Sequence, residues 1–149
     1  MKNISSTHIR KVEKGQSLVE LAMGLTFLIL LFGGVIDLGR AFFTYITLRD
    51  AAREGAVYGS YMPTDTSGII ARVHASATSP IDTSGIAMDA SDVTFPDGNT
   101  CPGHPISVRV RYTFEITMPL LGTAIGGQTF PISAVVTNTI LKSDATGCT

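Results

Sequence analysis

The chain has 149 residues, room for one modest domain and one long additional element. It is 44% hydrophobic and 15% charged, with a mean hydropathy of +0.29, whereas soluble domains carry about 25% charged residues. A formal net charge of −1 argues against a nucleic-acid binder, which needs a basic patch to neutralise phosphates.

The charge is unevenly placed. Residues 1–15 hold Lys2, Arg10, Lys11 and Lys14 against Glu13, a net of +3, and the remainder holds 7 basic and 11 acidic side chains, a net of −4. A basic block ahead of an apolar run stays on the cytoplasmic side of a membrane. This predicts a basic leader (1–15) inside, a single-pass anchor in the cytoplasmic membrane, and the bulk of the chain outside.

The apolar run extends from Leu18 to Ile36 and carries one charge, Glu20. As a helix its 19 residues cover about 28 Å, close to the hydrocarbon thickness of a bilayer. A cleavable secretory signal would need a small-residue cleavage site after the run, and Asp37, Leu38, Gly39 and Arg40 provide none. Helical sequence continues without proline to Met62, and Pro63 is the first firm stop. One helix is therefore expected from about Ser17 to about Tyr61, with residues 16–36 in the membrane and 37–62 beyond it.

Along that outer half, Ala51, Gly55 and Gly59 recur every four residues and share one face. A smooth face of this kind lets another backbone approach closely, either the chain's own sheet or a neighbouring helix. Asp37 and Arg40 are placed to pair at i, i+3, as a solvated surface pair or an assembly contact.

Residues 63–149 form a small extracytoplasmic domain in this reading. Gly68–Ala77 is expected as a short helix, 78–91 as loop, and Val93–Phe95 as a short strand. Ser107–Thr117 alternates Val108, Val110, Tyr112, Phe114 and Ile116 with polar residues, and Thr129–Leu141 repeats the pattern. Period-2 alternation marks half-buried strands. A two- or three-stranded sheet is not stable alone in water, so the outer half of the helix is expected to cover it. The fold class is α+β, a long helix packed against a small antiparallel sheet. The linker 118–128 is unusually apolar for a loop, and Leu120, Leu121 and Ile125 are candidates to close the core or to contact another subunit.

Cys101 and Cys148 both fall in the outer domain, where an oxidising compartment permits a disulfide. Closing so long a loop is worth roughly 4 kcal/mol on the chain-entropy estimate; two unpaired thiols are the alternative. Cys101 and His104 have metal-ligand spacing but lack two further ligands, so no metal site is expected. No phosphate loop and no base placed beside a nucleophile is recognisable, so neither a cofactor nor catalysis is expected, and no small-molecule substrate is evident.

The sequence Lys14-Gly15-Gln16-Ser17-Leu18-Val19-Glu20, a basic leader, a glycine and a glutamate five positions after it, resembles the processing site of type IV pilins. Together with Asp37-Leu-Gly-Arg40-Ala-Phe-Phe-Thr-Tyr45 and Ala51-Ala-Arg-Glu-Gly55-Ala, it resembles the TadE-like family, pseudopilins of the tight-adherence pilus system. Gln16 stands where many type IV pilins carry phenylalanine. The resemblance implies a pilin-like architecture and a role in a pilus or secretion apparatus. It also implies cleavage after Gly15 by a prepilin peptidase, which leaves Gln16 as the N-terminus. Its partners would be that peptidase, other pilin or pseudopilin subunits, inner-membrane assembly proteins and the lipid bilayer, with an extracellular pilus as a further location. An acid inside an apolar helix needs a partner. By the same resemblance Glu20 meets the new α-amino group of Gln16, its own or a neighbour's, and so sets subunit register. Glu20 reaching water at headgroup depth is the plainer reading. The competing function is a bitopic, membrane-anchored binding domain that does not assemble.

Overall fold

A computed structural model describes residues 14–77, 83–118, 122–123, 126–146 and 148. The basic leader through Glu13, residues 78–82 of the expected loop, and Leu120, Leu121 and Ile125 of the apolar linker lie outside the described residues.

Helix α1 (Lys14–Gly59) runs unbroken for 46 residues, about 69 Å. No proline interrupts it. It closes where Ser60 N–H bonds the Ala56 carbonyl at 3.0 Å and Met62 N–H bonds Tyr58, two residues before the expected stop. Helix α2 (Thr66–Ser76) starts two residues earlier than its apolar spacing suggested, because the Asp65 carboxylate caps it by accepting the Gly68 N–H at 2.9 Å.

The sheet has four strands, β1 (Ile86–Ala87), β2 (Val93–Thr94), β3 (Pro105–Glu115) and β4 (Thr129–Thr139), against the two or three expected. Strand β3 is central. It pairs antiparallel with β4 along its whole length, from Pro105↔Thr139 to Glu115↔Thr129. Its other edge is shared by β2 at Val108 and β1 at Tyr112. Strand β1 falls in the segment expected to be loop; two residues are too few to show alternation. Arg111 holds this edge segment down, reaching Asp92 at 2.6 Å and Asp89 at 3.3 Å.

The even-numbered residues of β3 and β4 face α1. Val108, Val110, Phe114, Ile132 and Ala134 join Leu48, Ala51, Ala52 and Ala56 of α1 and Ile69 and Val73 of α2 in one core. Strand β3 runs antiparallel to α1. At its upper end Ile106 lies against Gly59, and at its lower end the backbone N–H of Thr117 reaches Asp37. The lengths agree. From Asp37 to Gly59 the helix rises about 33 Å, and from Ile106 to Thr117 an extended strand covers about 37 Å. Strand β4 returns upward and ends with Leu141 and Lys142 donating to the Ser60 carbonyl at 2.8 and 3.1 Å. Cys101 and Cys148 are joined, closing a 47-residue separation around β3 and β4.

Close approach explains two glycines. A Cβ at Gly55 would meet Val73 Cγ2 at 2.5 Å, and one at Gly59 would meet Ile106 Cδ1 at 2.6 Å. Gly55→Leu gains about 1 kcal/mol of helix propensity but overpacks a β-branched neighbour at a cost of about 1–3 kcal/mol. The expected net result is a lower unfolding temperature in detergent. Gly39 has open space around its Cα, so Gly39→Ala is expected to raise it. A similar response to both substitutions would contradict this packing.

Three aspartates in the outer domain are held below the ordinary aspartate range: Asp65 by the Gly68 N–H and then the Tyr58 and Ser67 hydroxyls, Asp89 by the Ser91 hydroxyl and N–H, and Asp144 by the Thr64 hydroxyl. A depressed folded-state pKa contributes stability above the unfolded value, about 3.9, and that contribution is lost as pH falls through the folded value. Thermal stability is therefore expected to fall below about pH 4. Asp65→Asn, which keeps a capping oxygen, is expected to make the fall shallower when unfolding temperature is followed against pH.

Candidate functional site: the two halves of the long helix

The sequence-derived site residues lie on α1, with the cysteine pair apart from them. They divide into two groups with opposite surroundings. Gly15, Gln16 and Glu20 are exposed, as is nearly every side chain through Ile36. Leu18, Phe27 and Ile36 keep 66%, 68% and 62% of their surface free of contact with the rest of the protein, so no protein core accounts for this apolar stretch. Among the described residues, α1 is the one helix long and apolar enough to cross a membrane. Gln16 and Glu20 are four residues apart on it, hence on one face and about 6 Å apart along the axis. Gly15 has no neighbouring atom within 4 Å of where a Cβ would stand.

The second group, Asp37, Arg40, Ala51, Gly55 and Gly59, belongs to the half of α1 that carries the domain. Asp37, Ala41, Thr44, Leu48, Ala51 or Ala52, Gly55 and Gly59 succeed one another at intervals of three or four and form the helix face turned to the sheet and α2. Ala51 is fully buried, and Gly55 and Gly59 are buried under α2 and β3. Of the two readings open for this row, the structure places these three residues in intrachain packing, with no surface left over for a second helix.

Asp37 is neither a solvated surface acid nor an outward-facing contact. It is 6% exposed. One carboxylate oxygen accepts the Met118 N–H at 3.0 Å, and the other accepts the Thr117 N–H at 3.3 Å and Arg40 Nη1 at 3.2 Å. Arg40 also donates to the Thr117 hydroxyl and lies over the Phe114 ring, 5.2 Å from its centroid. The chain leaving β3 would otherwise present two orphaned N–H groups to the helix, and a buried donor without a partner is costly. The acid therefore ties the lower end of the sheet to the point where the helix leaves its bare apolar half. The sequence offered the i, i+3 pair but no signal for the Thr117 and Met118 contacts, which bridge some eighty residues.

The thioether of Met118 lies against Gly33, one turn below Asp37, where any Cβ would collide with it. This contact was also not legible in the sequence. The sulfur of Cys101 is bonded to that of Cys148.

A family model described as TadE-like protein matches residues 15–57. It spans the glycine ahead of the apolar run, the exposed half of α1 and most of the half that carries the domain, and it agrees with the resemblance read from the residues. Comparison with curated proteins and with solved structures gives no match.

Removing the Asp37 carboxylate takes the acceptor from two part-buried N–H groups, so Asp37→Ala is expected to cost about 1–2 kcal/mol. The Arg40 side chain is 48% exposed, and Arg40→Ala is expected to cost less than about 1 kcal/mol. Unfolding in detergent followed by circular dichroism measures both; equal losses would contradict the assignment of the clamp to Asp37.

Proposed function

Starting from a TadE-like segment at residues 15–57, we propose that the chain is a pseudopilin-like structural component of a Tad-type pilus or secretion apparatus. The family match supports the coarser statement, a component related to the Tad pilus. The finer reading rests on one observation: a glycine and a glutamate at pilin spacing stand at the head of a helix half that the other described residues leave almost wholly exposed.

In this reading the leader is held at the cytoplasmic face by its basic residues. A prepilin peptidase cuts after Gly15, where the absence of a side chain lets the backbone lie extended in a narrow protease site. The cut leaves the anchor in place and exposes an α-amino group on Gln16. That amine, with a reference pKa near 8, is positive at neutral pH. Glu20, one turn away, is its counter-charge. In a bundle of such helices a misaligned subunit would strand a charge in apolar surroundings, so the pair favours one axial register. Subunits meet through the exposed half, residues 16–36, because the small-residue face of the outer half is occupied by the chain's own domain.

Co-expression with an active prepilin peptidase and measurement of intact mass tests this. The expected result is loss of Met1–Gly15, abolished by Gly15→Val. An unchanged mass beside an active peptidase would favour the bitopic binding domain. Glu20→Ala is expected to be processed normally yet to be depleted from assembled filaments or complexes, and its normal incorporation would refute the register role.

A further inference from the structure

The lower end of the sheet and α1 enclose a shallow groove of about 190 Å³, lined by Gly34, Leu38, Ala41, Phe114, Ile116 and Phe130, with Asp37 at its side. The oxygens of Asp37 are engaged by Thr117, Met118 and Arg40, so the described lining offers no free polar side chain. Water in a cavity needs two to four polar partners, and this lining provides none.

The groove's height along α1 identifies what fills it. With Leu18, the first residue of the apolar run, at the inner boundary, a hydrocarbon layer of about 30 Å takes about 20 helical residues and ends near Leu38, just past Ile36. Gly34, Leu38 and Ala41 straddle that level, and Met118 packs one turn deeper, on Gly33. Above the groove, Phe42, Phe43 and Tyr45 are exposed at 61%, 62% and 43%, and tyrosine is one of the residues enriched at a membrane–water interface. The exposed Arg40 side chain stands at headgroup height, and its guanidinium retains donors for a phosphate. A helix from a second copy is about 10 Å across, too wide for so small a groove, whereas an extended hydrocarbon chain is not.

We propose that this groove holds an acyl chain of a phospholipid from the leaflet facing the domain, with Arg40 at its phosphate. The lower end of β3 and β4 is then seated in the bilayer surface, and the domain has a second membrane contact besides its anchor. This rests on the reading of residues 16–36 as membrane-spanning.

The chain contains no tryptophan, so single reporters are unambiguous. The full-length protein carrying Phe27→Trp, Phe130→Trp or Tyr61→Trp is reconstituted in phosphatidylcholine vesicles with or without bromine on the acyl chains. Bromolipid is expected to lower the emission of Phe27→Trp and Phe130→Trp by roughly twofold, and aqueous iodide to have little effect on them. Tyr61→Trp, roughly 30 Å above Arg40, is expected to behave in the opposite way. If bromolipid does not quench Phe27→Trp, the anchor reading itself fails. If it quenches Phe27→Trp while iodide quenches Phe130→Trp, the groove stands in water and the inference is overturned. Protection of Phe130→Trp from both quenchers would mean that protein covers the groove, which also overturns it. Should Phe130→Trp fail to fold, the unaltered chain is irradiated in vesicles containing a phospholipid with a diazirine in its acyl chain. Adducts on Phe114–Met118 or Phe130 support the inference, and adducts confined to α1 contradict it.

Discussion

The sheet has one apolar face and a single element long enough to cover it. Strands β3 and β4 each run 11 residues, and the outer half of α1 matches them from Asp37 to Gly59. The packing of the domain follows from that match. Alanine and glycine let the helix backbone approach the sheet and α2, Asp37 fixes the lower end, and the Ser60 carbonyl receives β4 at the upper end. Without the helix the apolar face of a small sheet would lie in water, where so few strands are not stable.

The same helix therefore has two kinds of surroundings along its length. From Leu21 to Ile36 its side chains are almost all apolar around the whole circumference and touch little of the described domain; above Asp37, a stripe recurring every three or four residues is buried and the rest is exposed. Asp37 marks the change. An acid at that position would be costly in lipid and of little use fully in water. Held by two backbone N–H groups and an arginine, it secures the domain at the height where the bare helix begins.

Much of this was legible in the residues. The apolar run, the proline-free continuation to Pro63 and the period-2 strands each carry a strong local signal, so the long helix, β3, β4 and their antiparallel pairing follow from them. The boundaries shifted by two or three residues where a cap decided them, as Asp65 did for α2. Strand β1 carried no signal because two residues cannot alternate, and it forms only because β3 has a free edge for it. The small-residue row of Ala51, Gly55 and Gly59 announced close packing without saying against what, since a sheet and a second helix make the same demand. Gly15, Gln16 and Glu20 stood out only through their spacing, and the structure leaves them exposed. The contacts of Asp37 with Thr117 and Met118, and of Met118 with Gly33, depend on where β3 ends in space, which no local pattern encodes.

The claim that one continuous helix meets two environments is tested most directly by scanning a nitroxide along α1 in lipid nanodiscs, with the Cys101–Cys148 bond intact, and recording access to oxygen and to a water-soluble nickel complex. The account predicts high oxygen access with no helical period from Leu18 to Ile36. Beyond that a period of three to four residues should appear, with low access to both reagents at Thr44, Leu48, Ala51 and Gly55. A helical period that extended down through Phe27, or nickel access throughout residues 18–36, would contradict it.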